Sequence, residues 1–225
     1  MDLQEKIQFL ASCDTSFLAD ALIRLGQSDR MHELTVDTSL CAPLNREDHF
    51  AGVAVPVQFG IAKPGQKTWN LFDLISSSPP GTVFVMNGCG DRCYTGDVYA
   101  KYAKLAGMGA FVVAGMIRDV KDIAKCGLPV FCKGGTTAAK GGQGAKIVSF
   151  DQPVQFYHMT VNPGDILVGD CDGLIRIPPE LLDDVIFQAE DIKKLEEAYT
   201  QVFLEGTDVL RRLREIGAQK DVIRR

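Results

Sequence analysis

The sequence predicts an α/β protein with N-terminal helices and a long C-terminal helix, on three observations. Short apolar strands alternate with helical stretches between residues 82 and 132, the pattern of parallel strands joined by crossover helices. From 146 to 177, short strand signals follow one another with tight turns between them, which reads as a β layer. Helix-forming sequence lies at both ends. With 225 residues, 46% of them hydrophobic, the chain can bury a sizeable core, and neither a repeat nor a linker divides it, so residues 1–225 are read as one domain.

The elements follow in order. Leu3 to Leu25 reads as two short helices; Asp14-Thr15-Ser16 offers capping oxygens to the second, and Gly26 supplies its stop. Residues 26–49 are polar and irregular. Phe50 to Phe59 reads as a strand in which Pro56 implies an edge position or a bulge. Trp69 to Ile75 reads as a short helix, Ser76 to Gly81 as a turn and Thr82 to Met86 as a strand. Helices are predicted over Asp97–Met108 and Asp119–Lys125, with strands at Ala110–Ala114 and Pro129–Cys132. Residues 134–144 form a Gly-rich loop, read as a flexible active-site or interface loop. Strands are expected at Lys146–Phe150, Val154–Tyr157, Ile166–Gly169 and Leu174–Ile177. Pro178-Pro179 then opens one long helix, roughly Glu180 to Arg214.

Composition excludes several function classes. A net charge of −5 argues against nucleic acid as the main ligand, because phosphate binding needs clustered Lys and Arg. No apolar run approaches the roughly 20 residues that span a bilayer, and the first residues lack the pattern of a secretion signal, so a cytoplasmic protein without a membrane partner is expected. The seven cysteines include no Cys-x-x-Cys, and the three histidines, His32, His49 and His158, stand far from Cys89 and Cys93, so a zinc site is not expected. The Gly-rich loop lacks the Gly-Lys-Ser/Thr ending of a phosphate loop. Gly88-Cys89-Gly90 fails as a dinucleotide fingerprint because Cys93 occupies the third glycine position. There is no Ser-centred nucleophile elbow, and Cys89 or Cys93 would need a base that the sequence does not place.

The candidate residues gather in the middle of the chain. Arg118-Asp119 follows a buried strand, where ligands collect in open α/β sheets. A guanidinium there can grip a carboxylate or oxo group, and the carboxylate can take one position around Mg²⁺ or Mn²⁺. The plain alternative is helix capping by Asp119 and a surface ion pair by Arg118. Gly96-Asp97 opens a helix whose free N–H groups attract an anion, although Asp97 can equally be a simple N-cap.

Asp97, twenty residues, then Arg118-Asp119 resembles the Asp-x20-Arg-Asp motif of the RraA-like family, which holds 4-hydroxy-4-methyl-2-oxoglutarate/4-carboxy-4-hydroxy-2-oxoadipate aldolases and inhibitors of RNase E. Flanking segments resemble it too: Cys13-Asp14-Thr15-Ser16 with Asp20-Ala21-Leu22, Pro129-Val130-Phe131 with Gly134, Val161-Asn162-Pro163-Gly164-Asp165, and Asp170, Asp172-Gly173 and Ile177-Pro178. The likeness is best from about 81 to 180. Ala114-Gly115 stands where the family commonly has Asp-Gly, and the 88–91 loop departs from its usual Gly-Gly form.

The resemblance implies a swivelling β/β/α sandwich and a homo-oligomer, a trimer or paired hexamer, with the site between subunits. It implies that Asp119 ligates Mg²⁺, with Mn²⁺ as the other option, and that Asp97 orients water. Arg118 and backbone groups of the 88–98 loop, Gly90, Gly96, Asp97 and Val98 among them, would hold the pyruvyl part of a small 2-oxo acid. A glutamate from a neighbouring C-terminal helix, matched by Glu196 and next by Glu197, would approach the site. The implied activity is metal-dependent retro-aldol cleavage of 4-hydroxy-2-oxo acids, oxaloacetate decarboxylation, or both, through a pyruvate enolate. The alternative from the same family is a non-catalytic, protein-binding regulator of a ribonuclease. For a quinone methyltransferase, a label also attached to the family, this sequence has no Gly-rich first turn suited to S-adenosylmethionine.

Overall fold

The computed structural model describes residues 1–88, 90, 92–138 and 145–223. Its helices are α1 (Leu3–Leu10), α2 (Thr15–Arg24), α3 (Met31–Leu34), α4 (Leu71–Ser77), α5 (Asp97–Leu105), α6 (Val120–Cys126), α7 (Leu182–Glu205) and α8 (Val209–Ile223). Its strands are β1 (Thr35–Asp37), β2 (Ala42–Pro43), β3 (Phe50–Ile61), β4 (Val83–Asn87), β5 (Ala110–Val113), β6 (Met116–Ile117), β7 (Val130–Cys132), β8 (Gly134–Gly135), β9 (Ala145–Phe150), β10 (Val154–Phe156), β11 (Met159–Val161), β12 (Ile166–Asp170) and β13 (Gly173–Ile177).

The β3, β4, β5 and β7 strands pair in parallel, as the alternation predicted. Every residue of β5 is buried, and so are the first four of β4, because both faces of this half are covered. Phe84, Met86, Phe111 and Val113 point toward α4, α5 and α6, in a core that also holds Leu74, Ala100, Ala103 and Ile123. The alternate residues Val83, Val85, Ala110 and Val112 face an inner core closed by Val154, Phe156, Met159 and Val161 of the β10–β11 hairpin.

The expected β layer is not separate from this half. One sheet runs β1-β13-β12-β3-β4-β5-β7-β2, with β9 also on β3, and nearly closes on itself. The β12 and β13 strands are antiparallel and carry α1, α2 and α7 on their outer face, around Leu18, Leu22, Val168, Ile177, Val185 and Ala189. Architecture and long C-terminal helix agree with a swivelling β/β/α sandwich.

Several local expectations are corrected. Pro56 marks no edge: β3 is the central strand, paired with β12, β9 and β4. The Pro56 carbonyl accepts from the Asp151 amide at 3.0 Å, so its nitrogen faces the same side of the strand. There it falls in the gap between the last β12 partner, at Val53, and the first β9 partner, at Val57, and no ladder bond needs its missing N–H. A register shift follows at Gln58/Phe59. Residues 26–49, expected to be irregular, hold α3, β1 and β2.

The C-terminal helix starts at Leu182, after a 3-10 turn, and stops at Glu205. Gly206 takes φ 65° and its N–H bonds the Val202 carbonyl, a left-handed cap that turns the chain before α8. Asp14 sits at the N-cap of α2 but gives it no side-chain bond. Buried Asp170, from β12, does so instead, accepting from the Thr15 amide and hydroxyl, each at 2.7 Å. No described helix is long and apolar enough to cross a membrane.

Candidate functional site

Two segments are drawn together just past the ends of β4 and β5. Cys93 bridges Met116 in parallel, the Tyr94 amide donates to the Met116 carbonyl at 3.0 Å, and the Arg118 amide donates to the Thr95 carbonyl at 3.2 Å. This short zipper sets Gly96-Asp97, at the start of α5, beside Arg118-Asp119, at the start of α6. Close approach requires two glycines. A β-carbon on Gly96 would stand 2.6 Å from Asp119 Oδ2, and one on Gly115 would stand 2.4 Å from the Gly90 carbonyl oxygen and 2.5 Å from the Tyr94 ring.

Asp119 occupies the N-cap position of α6, yet its side chain makes no cap bond. Its backbone is left-handed, φ 59° and ψ 34°, a region a non-glycine residue adopts at a cost. The carboxylate turns away from its own helix. Oδ2 lies 3.3 Å from Arg118 Nε and accepts from the Asp97 amide at 3.5 Å, and the side chain stays 37% exposed. Asp97 is paired within its helix: Lys101 Nζ donates to its Oδ2 at 2.6 Å. That hydrogen bond, opposed by some desolvation, holds the Asp97 carboxyl below its usual range.

These groups border an open concavity of about 240 Å³ lined by Phe72, Gly96, Asp97, Val98, Tyr99 and Arg118. The structure therefore brings together Gly96, Asp97, Val98, Arg118 and Asp119 of the sequence-predicted residues. Gly90 lies against Gly115 and is not among the residues lining the concavity. Glu196 and Glu197 do not join them within one chain: both are exposed on α7, which packs on α1, α2 and α8. The Gly-rich loop starts beside the site, where Thr136 N donates to the Ile117 carbonyl at 2.7 Å; residues 139–144, and Cys89 and Asp91, lie outside the described residues. Cys93 is buried, and burial raises its thiol pKa, the reverse of what a nucleophile needs.

Sequence reasoning missed Phe72, Tyr99 and Lys101. The Asp97–Lys101 spacing of four is a readable helix signal. Nothing local could place Phe72, which reaches the site from α4. A different group of potential metal-ligating side chains, Asp170, Cys171 and Asp172, sits at the β12–β13 turn, but Asp170 there is committed to Thr15 and to the Asp172 amide.

The donor set suits a hard divalent cation. Asp119 presents a partly exposed carboxylate that makes no cap bond to α6. A Mg²⁺ ion commonly takes one or two protein carboxylates and keeps water elsewhere.

Known proteins resemble this chain in sequence and in fold. The RraA-like family model, described as Aldolase/RraA, matches residues 15–176. A Halalkalibacterium halodurans protein, provisionally named a 4-hydroxy-4-methyl-2-oxoglutarate aldolase, is 33% identical over 186 residues, 82% of this chain and 86% of that one. An uncharacterised protein from Pseudomonas syringae pv. tomato has the same fold, with TM-score 0.76 and 22% identity over 93% of this chain and 96% of that one. So does Streptomyces coelicolor RraAS2, described as an unusual member of the RNase ES inhibitor RraA family, with TM-score 0.73 and 24% identity over 86% and 95%.

Proposed function

Because the chain belongs to the RraA-like family, we propose that it is a divalent-metal-dependent lyase that forms pyruvate from small 2-oxo acids, by retro-aldol cleavage, oxaloacetate decarboxylation, or both. One observation carries the reading. Asp119 sits where a capping carboxylate would, in a costly backbone conformation, and leaves its carboxylate uncapped beside Arg118 and the start of α5.

Arg118 is the group for the substrate carboxylate and 2-oxo oxygen, since its planar fork matches both. The N-terminus of α5, opening at Gly96-Asp97, adds N–H groups and positive potential on the same side. In the retro-aldol reaction the 4-hydroxyl gives up its proton and the C3–C4 bond breaks. The C4 fragment leaves as a carbonyl compound, the bonding pair passes to the 2-oxo oxygen, and a proton returned to C3 gives pyruvate. Decarboxylation of oxaloacetate differs only in losing CO₂. The charge growing on the 2-oxo oxygen is what Arg118 stabilises, and such preorganised donors contribute much of the rate. Asp97, held ionised by Lys101, is a poor base and a good acceptor, so it orients water or the substrate hydroxyl. Asp119 would hold Mg²⁺ or Mn²⁺, which when bound supplies Lewis-acid polarisation near that oxygen. A homo-oligomer would allow Glu196 or Glu197 of a second copy to complete the proton path.

Pyruvate release from oxaloacetate tests the reading. Release should need Mg²⁺ or Mn²⁺, stop with a chelator, and fall about 100- to 1,000-fold in Arg118→Ala. Release at the uncatalysed rate with or without metal would sink the lyase and leave the ribonuclease-regulator role.

A further inference from the structure

The concavity is lined by two unlike sets of residues. One is polar, with Arg118, Asp97 and the neighbouring Asp119. The other is made by Phe72, Val98 and Tyr99. Phe72, on α4, stacks on Tyr99, on α5, with ring centroids 4.5 Å apart and planes at 30°. It also meets Tyr102 edge-on at 5.3 Å, and the Tyr102 hydroxyl shares a 2.7 Å hydrogen bond with Ser76 Oγ. The wall is thus braced from both helices, and a ligand need not order it. Val98 continues it and is 60% exposed, an apolar residue left open next to the polar group.

Charge is as uneven as shape. Among the described residues that line the concavity, Arg118 is the one cation, and the carboxylate of any 2-oxo acid would use it. Lys101 is engaged with Asp97. Within one chain, a second carboxylate on the substrate would meet aromatic faces, which carry negative potential, and would lose water without gaining a counter-charge from that lining.

We infer that Phe72, Val98 and Tyr99 are specificity determinants that select 4-hydroxy-2-oxo acids with an apolar or aromatic C4 substituent over those with a second carboxylate. This rests on the lyase reading, and the test separates the two. The Mg²⁺-loaded chain is given 4-hydroxy-4-phenyl-2-oxobutanoate, cleaved to pyruvate and benzaldehyde, and 4-hydroxy-4-methyl-2-oxoglutarate, cleaved to two pyruvates. Oxaloacetate, whose second carboxylate departs as neutral CO₂, is the control. Calorimetry compares phenylpyruvate with 2-oxoglutarate and needs no turnover.

The phenyl substrate should have a kcat/KM about tenfold or more above the dicarboxylate, the range an apolar pocket can discriminate. Phenylpyruvate should bind tighter than 2-oxoglutarate. Phe72→Ala should lower the phenyl-to-dicarboxylate ratio about tenfold, and Phe72→Leu, which keeps apolar bulk and guards against a folding artefact, should lower it less. Preference for the dicarboxylate, or a ratio unmoved by Phe72→Ala in a variant that melts cooperatively, overturns the inference while oxaloacetate cleavage keeps the lyase standing. No pyruvate from any of the three overturns the lyase, and phenylpyruvate binding no tighter than 2-oxoglutarate then overturns the apolar selection as well.

Discussion

Two aspartates at helix starts, one in each half of the sheet, are used in opposite ways. Asp170 in the antiparallel half is buried, and its oxygens accept from the Thr15 amide, the Thr15 hydroxyl and the Asp172 amide. Asp119 in the parallel half is at the N-cap of α6, makes no cap bond and keeps its carboxylate partly exposed. The same side chain thus fills a helix cap where it is buried and, at the proposed site, leaves its own helix uncapped and faces Arg118 and the Asp97 amide at 3.3 and 3.5 Å. The antiparallel half repeats its habit at Arg176 and Asp165, a buried ion pair at 3.0 Å in which Asp165 also accepts from the Asn162 amide.

The contrast is sharpest in activity. Asn tolerates a left-handed backbone, so Asp119→Asn should fold with nearly unchanged stability, while pyruvate release falls about 100-fold or more. Kinetics together with thermal unfolding check this, and a large loss of stability would erase the distinction. In the other half the effects reverse. Asp165→Ala strands the buried Arg176 guanidinium and should cost about 3–5 kcal/mol in denaturant unfolding. Asp170→Ala leaves the Thr15 amide and hydroxyl unpaired and should cost about 2–3 kcal/mol, with α2 fraying in hydrogen exchange.

The smallest effect belongs to Lys101→Met. Asp97 has a depressed folded-state pKa, so what its ion pair contributes is present above the unfolded value and lost as pH falls through the folded one. Removing Lys101 should abolish that contribution and shift the Asp97 carboxyl titration to higher pH, read by NMR. No shift would mean that Lys101 is not its main partner.

Elements with strong local patterns were legible. The alternation around β4, α5, β5, α6 and β7 emerged with boundaries off by a residue or three, because buried parallel strands are continuously apolar and their helices amphipathic. The β10–β11 hairpin was not seen as a pair. Its two-residue turn is Tyr157-His158, with Tyr157 at φ 54°, in place of the glycine-bearing pair that would announce a turn. Tertiary support substitutes for turn chemistry there: the Tyr157 hydroxyl donates to the Leu40 carbonyl at 2.7 Å. The break at Gly206 did carry a local signal, a glycine following a helical run, and it was overridden by the helix formers around it.

By itself, the sequence determined the fold class, the family and the pairing of Asp97 with Arg118-Asp119, since each is written in short-range periodicity or in a motif of fixed spacing. Only the tertiary structure decided which aspartate is spent on a cap, that Pro56 can sit in a central strand, and that Phe72 stacks on Tyr99 beside the site. Those outcomes depend on which backbone groups remain unpaired once strands far apart in the chain have closed into one sheet, and no local window contains that information.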